Sequence, residues 1–180
     1  PYAGLVQAAD GNLYGTTLRG GPADAGTLFR ISPGGTFTNV LNFTGANGRA
    51  PQGAMAVGPD GNLYGTTLQG GTGDRGTIYR LEPASGRLTT LFSFAGLNAF
   101  NNNGQAINAT GANPRGALTL APDGSFLGLA FGGGTGGFGT LYRVTTAGVQ
   151  SVLHAFAGFP FDGGSPLGEV SIGPDGTLYG

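Results

Sequence analysis

The chain has 180 residues with 39 Gly, 11 Pro and only 9% charged residues, for a formal net charge of -1, and its eight basic residues are all Arg. That balance gives no electrostatic footprint for nucleic acid or an anionic membrane, and the absence of Cys excludes disulfides, thiol catalysis and Cys-ligated zinc while leaving the compartment open. No apolar stretch approaches the roughly 18 to 20 residues that span a bilayer, and no basic, hydrophobic leader follows Pro1, so a mature or fragmentary piece with its targeting signals elsewhere is expected.

From the N-terminus, an apolar run at Leu5 to Ala9 follows Pro1 and ends in the turn Asp10-Gly11. Asp can bond the backbone two residues on, and Gly takes the positive φ such a turn demands. A second run, Leu13 to Leu18, leads to Gly20-Gly21. A third opens on the pair Gly26-Thr27 and runs to Arg30, and a fourth ends at Leu41-Asn42-Phe43-Thr44-Gly45. Four short runs rich in β-branched and aromatic residues, separated by Gly and Pro turns, read as four antiparallel strands.

The pattern then repeats. Asp10-Gly11-Asn12-Leu13-Tyr14-Gly15 returns at Asp60 to Gly65, at Asp123 to Gly128 and at Asp175 to Gly180, at offsets of 50, 63 and 52 residues. The separation from this Asp to the Gly of the Gly-Thr pair is 16 residues in each of the three complete units (Gly26, Gly76, Gly139). Repeats of roughly 40 to 50 residues with several strands each are the signature of a β-propeller. The expected fold is therefore all-β, with four-stranded antiparallel blades, about three and a half of them, as an incomplete propeller or a fragment. The units divide as 1-50, 51-113 with a loop insertion at 97-113, 114-165, and 166-180 for the first two strands of a fourth. First strands are expected at residues 5 to 9, 54 to 58, 117 to 121 and 169 to 173, lining the axis with small residues. Phe43, Phe94 and Phe156 are expected buried between blades.

These residues resemble the Gloeo-Verruco (GloVer) tandem repeat of bacterial choice-of-anchor proteins: Pro, an apolar run, DGNLYGTT, a Gly pair, a GTLF-like run, then a run ending in Phe and Gly. Asp10 to Thr17 with Gly26 to Phe29, and Asp60 to Thr67 with Gly76 to Tyr79, follow it closely; the third unit departs at Phe126-Leu127 and Leu129-Ala130. The layout is also similar to kelch propellers, whose Trp is missing here. The resemblance implies an extracellular or cell-surface bacterial protein, with no activity and no catalytic residues to carry over.

Four candidate chemistries stand out. Asp10, Asp60, Asp123 and Asp175 form a potential carboxylate ring for calcium, but their place in Asp-Gly turns favours local backbone bonding. His154, the single histidine, aligns with the apolar Leu41 and Phe92 and is expected to be packed and hydrogen-bonded rather than a general base. Arg30, Arg80 and Arg143 recur in phase and form a candidate anion-binding ring, but each is expected to lay its stem on a neighbouring aromatic and reach solvent or a nearby carbonyl. The insertion within Leu97 to Asn113, longer by about a dozen residues, places Phe100, Asn101, Asn102, Asn103 and Gln105 on a loop held by a rigid scaffold, chemistry suited to hydroxyl-rich ligands.

The leading expectation is a noncatalytic repeat scaffold, secreted or surface-attached, for adhesion or binding of a glycan or other surface ligand. Neither cofactor nor metal is implied, nor nucleic acid, nor membrane insertion by this segment. The alternatives are a structural subunit of an extracellular assembly or filament, self-associating through open blade edges, and part of a propeller lyase or lactonase whose active site lies in blades outside this sequence.

Overall fold

The computed structural model describes residues 3–180; Pro1, the lead of the first unit, lies outside them. The first sheet runs β1 (Val6–Gln7), β2 (Leu13–Thr17), β3 (Thr27–Ile31) and β4 (Phe37–Asn42), antiparallel and in chain order. The second repeats it with β5 (Ala56–Val57), β6 (Leu63–Thr67), β7 (Thr77–Glu82) and β8 (Arg87–Ser93). The insertion carries a two-stranded hairpin, β9 (Ala99–Phe100) and β10 (Ala106–Ile107). The third sheet holds β11 (Ala112–Pro114), β12 (Thr119–Leu120), β13 (Phe126–Gly132), β14 (Thr140–Val144) and β15 (Gln150–Ala155), with β11 and β12 both pairing β13. Last come β16 (Ser171–Ile172) and β17 (Leu178–Tyr179). Among the described residues there is no helix, and the sheets do not close on themselves. This is the bladed β-propeller architecture that the repeat predicts, with the first strands inside the expected segments.

Each conserved-looking letter of the repeat has a mechanical reason. Asp60 Oδ1 accepts the backbone N–H of Asn62 at 3.2 Å, while Oδ2 accepts from Asn62 Nδ2 and from the Tyr64 hydroxyl, both at 2.8 Å. Asp10 does the same with Asn12 and Tyr14. The carboxylate thus ties the turn to the second strand. Gly65 sits opposite Tyr79 in the ladder, and a Cβ there would collide with the Tyr79 ring; Gly128 and Tyr142 repeat the arrangement. The second Thr of the hexapeptide's tail closes the blade: Thr67 Oγ1 lies 2.8 Å from Thr77 Oγ1 and accepts the Thr77 N–H at 3.1 Å, as Thr17 does for Thr27. The pairing of third and fourth strands carries a bulge at the same place in all three blades, at Leu28/Phe29, Ile78/Tyr79 and Leu141/Tyr142, which adds local twist.

Side chains from neighbouring blades interlock between the sheets. Phe43 of the first blade meets Tyr79 of the second with ring centroids 5.5 Å apart, and Phe94 of the second meets Tyr142 of the third at 5.4 Å. Tyr64 and Phe126 add a contact at 4.5 Å. All six rings are fully or almost fully buried. Just ahead of the first strands the backbones of successive units approach so closely that a Cβ at Gly53 would strike the Gly116 carbonyl, and one at Gly116 the Gly168 carbonyl. Phe43 and Phe94 are buried as expected, while among the described residues Phe156 is partly buried, against Leu127, Leu129 and Val170, with no third-strand tyrosine across from it.

Candidate functional site

The two ends of the blades differ. One bears the Asp-Gly turns. At the other, the Gly-rich loops between second and third strands meet the linkers that lead to the next blade: the Gly71 N–H donates to the Gly45 carbonyl at 2.8 Å, and the Gly134 N–H to Asn108 Oδ1 at 3.1 Å. The insertion stands at this second end.

The hairpin of β9 and β10 is held from within and from below. Asn101 Oδ1 accepts the N–H groups of Asn103 (3.0 Å) and Gln105 (2.9 Å), and its Nδ2 donates to the Gly136 carbonyl at 3.0 Å. Asn101 is therefore spent on the turn and on docking the hairpin to the third blade, and it is not free to meet a ligand. Gln105 is half-buried, with its Cβ beside Gly137. Phe100 remains 74% exposed, and Asn102 and Asn103 are exposed beside it. Asn108, outside the residues expected to bind, ties the insertion down. Its Nδ2 donates to the Ala95 and Gly111 carbonyls, both at 2.8 Å, while its Oδ1 accepts the N–H groups of Gly111 and Gly134. A lone Asn before Ala-Thr carried no signal distinguishing this knot from the rest of the amide cluster.

A polar cavity of about 390 Å³ opens at the same end between the first two blades, lined by Arg19, Asp24, Arg49, Gln52 and Gln69 over Leu18, Ala50 and Leu68. Asp24 is partly committed: its Oδ1 accepts the Gly20 N–H at 2.9 Å and its Oδ2 lies 3.6 Å from Arg19 Nη1. An apolar cavity of about 380 Å³ lies by the last strands, with His154 on its wall beside Leu129, Leu141, Phe156 and Val170. His154 is hydrogen-bonded, 2.6 Å from Asp162 Oδ2, and its ring meets the edge of Phe156 at 5.0 Å. It is half-exposed rather than packed, because its place on the outer strand β15 leaves one side open. The Ala157 N–H, followed by the His154 contact, lowers the Asp162 pKa.

The repeat aspartates behave as turn residues. Burial raises the Asp60 pKa, but the hydrogen bonds from Tyr64 and Asn62 outweigh it and leave a net lowering. Tyr64 moves the other way, pushed up to about 12 by burial and by its bond to Asp60. In the third blade Leu127 stands where Tyr14 and Tyr64 stand, and Arg143 takes the vacated oxygen, 2.9 Å from Asp123 Oδ2. Arg80 reaches Glu82 at 3.1 Å, and Arg30 pairs in register with Tyr14 next to Asp10. For Arg80 and Arg143 the expected carbonyl or solvent partner is thus a carboxylate of the same blade, since the ladder sets each guanidinium beside one.

No family model and no curated protein matches the chain. Solved structures do. A chain of the nidogen–laminin complex is similar over 97% of this chain and 53% of its own, with a TM-score of 0.59 and 17% identity. A protein of unknown function from Dyadobacter fermentans is similar over 97% and 59%, TM-score 0.51, 12% identity, and a luciferin-regenerating enzyme over 94% and 49%, TM-score 0.50, 15% identity. The chain spans about half the length of these structures. At such identities the likeness shows the fold. It also corrects the expectation of a chain without catalytic activity, because the same fold is shared with a protein named as an enzyme. Among the described residues, no helix is long and apolar enough to cross a membrane.

Proposed function

We propose that this chain is a ligand-binding propeller segment of a secreted or surface-attached bacterial protein of the GloVer kind, and that the hairpin end takes a hydroxyl-rich ligand such as a glycan. The observation that carries the reading is Phe100: a large apolar ring left 74% exposed on a hairpin whose backbone is otherwise fixed, with Asn102 and Asn103 exposed at its side. Aromatic faces stack on the C–H faces of sugars while amides serve as donors and acceptors to hydroxyls. The rigid base lowers the entropy lost on binding.

A glycan array probed with the full chain and with Phe100→Ala, Asn102→Ala and Asn103→Ala tests this. The expected outcome is a glycan signal lost with Phe100→Ala and reduced by the two amide changes; a signal indifferent to all three refutes it. Excising residues 98 to 109 is the poorer test, since it removes Asn108 and with it the ties to Gly111 and Gly134.

A further inference from the structure

The polar cavity between the first two blades is a different place from the hairpin, and its chemistry is different. Arg49 and Gln69 exchange backbone hydrogen bonds, Arg49 N–H to the Gln69 carbonyl at 2.7 Å and the reverse at 3.1 Å, so their side chains leave the backbone side by side. Among the described residues Arg49 has no acidic partner. Two guanidinium groups face a single carboxylate in the lining, and that carboxylate, Asp24, already holds the Gly20 N–H and lies by Arg19. The site therefore keeps one unneutralised, fork-shaped cation next to the amides of Gln52 and Gln69, above an apolar floor of Leu18 and Leu68.

The repeat supplies its own control. The positions of Arg49 and Gln52 are filled by Ala112 and Arg115 at the second junction and by Gly164 and Leu167 at the third. Arg115 is folded over the Phe131 ring at 4.3 Å, and Asn113 Nδ2 is used by the Leu68 carbonyl at 2.9 Å. Nothing in strand geometry demands arginine at position 49, because the second junction forms the same pairing, Ala112 with Gly132, without it.

We infer that this cavity binds a carboxylate-bearing sugar, a uronic acid unit, with the Arg49 guanidinium receiving the carboxylate and the Gln52 and Gln69 amides receiving ring hydroxyls. A guanidinium matches a carboxylate in a two-point, planar arrangement that a lysine ammonium cannot reproduce. The volume of about 390 Å³ is in the range of small-molecule sites, roughly 300 to 1,000 Å³. The apolar floor suits the C–H face of a pyranose.

Isothermal titration of the full chain with D-galacturonate and D-glucuronate, each beside galactose and galactose 6-phosphate, decides it. The expected result is that a uronate binds about tenfold or more tightly than the neutral sugar, that binding weakens as salt rises, and that Arg49→Ala abolishes the preference while Arg49→Lys only reduces it. Arg49 is exposed, so its truncation leaves the fold intact, and a thermal melt of each variant verifies that. Phe100→Ala is expected to leave uronate binding unchanged, which separates this site from the hairpin. No saturation by either uronate up to about 10 mM, equal affinity for galactose, a stronger response to the phosphate, or indifference to Arg49→Ala each overturns the proposal.

Discussion

The junction between the second and third blades and the junction after the third are built from the same sequence pattern, yet they end in different states. Phe94 is fully buried because Tyr142, delivered by the third strand of the next blade, meets it edge-on, and Tyr64 packs on Phe126 across the same gap. Phe156 stands in the equivalent place, and among the described residues it packs on Leu127, Leu129 and Val170 and is partly buried, with no third-strand ring set against it. A blade's last strand is therefore completed by its neighbour. The letter Phe in the repeat marks a demand for burial, and only the adjacent sheet satisfies it.

Alanine substitution tests this contrast most strongly. Phe94→Ala is expected to destabilise by about 3 to 5 kcal/mol, the usual loss for a buried Phe, and Phe156→Ala in the 180-residue chain by less than about half of that, since it is partly buried among the described residues. Chemical denaturation of both variants measures the pair, and equal losses would break the comparison. Next comes Gly65→Ala. The added methyl meets the Tyr79 ring, and a loss of about 1 to 3 kcal/mol is expected for overpacking at so confined a site. The double variant with Tyr79→Ala should recover part of that loss, a coupling that a merely local backbone effect would not show.

Acid separates the blades by a smaller amount. The Asp60 pKa is lowered in the folded chain, so the stability it contributes is fully present above the ordinary carboxylate value near 3.8 and is lost as pH falls through the depressed folded value. Melting temperature should be flat in the neutral range and fall only below about pH 4. Asp60→Asn should flatten that fall more than Asp175→Asn, because Asp60 also holds the Tyr64 hydroxyl whereas Asp175 holds only Thr177. The smallest effect expected has the opposite sign. The hydroxyl of Tyr79 is buried with no hydrogen-bond partner among the described residues, so Tyr79→Phe should leave stability unchanged or raise it by about 1 kcal/mol; a measured loss would reveal a partner for that hydroxyl.

The blades were legible because strands and Asp-Gly turns are local: alternation, a fixed Asp to Gly separation and turn chemistry depend on residues a few positions apart. The roles of the aspartates followed for the same reason. The hairpin was legible only as an interruption of the period. Nothing local distinguished Asn101 and Asn108, whose amides are consumed by Gly136 and Gly134 some 35 and 26 residues further on, from Asn102 and Asn103, which stay free. Arg49 carries no signal in the sequence, since a single arginine before a proline-led strand has no pattern.

The sequence by itself determined the repeat unit, its strands and the turns that join them, because each is set by backbone preferences and hydrogen bonds within one unit. Only the tertiary structure decided which residues of one kind differ in fate: Asn101 spent and Asn102 exposed, Arg143 held by Asp123 and Arg49 without an acidic partner among the described residues. The physical reason is that burial and the partnering of polar groups depend on the neighbouring sheet, and the side chains it brings lie roughly a whole repeat away in the chain.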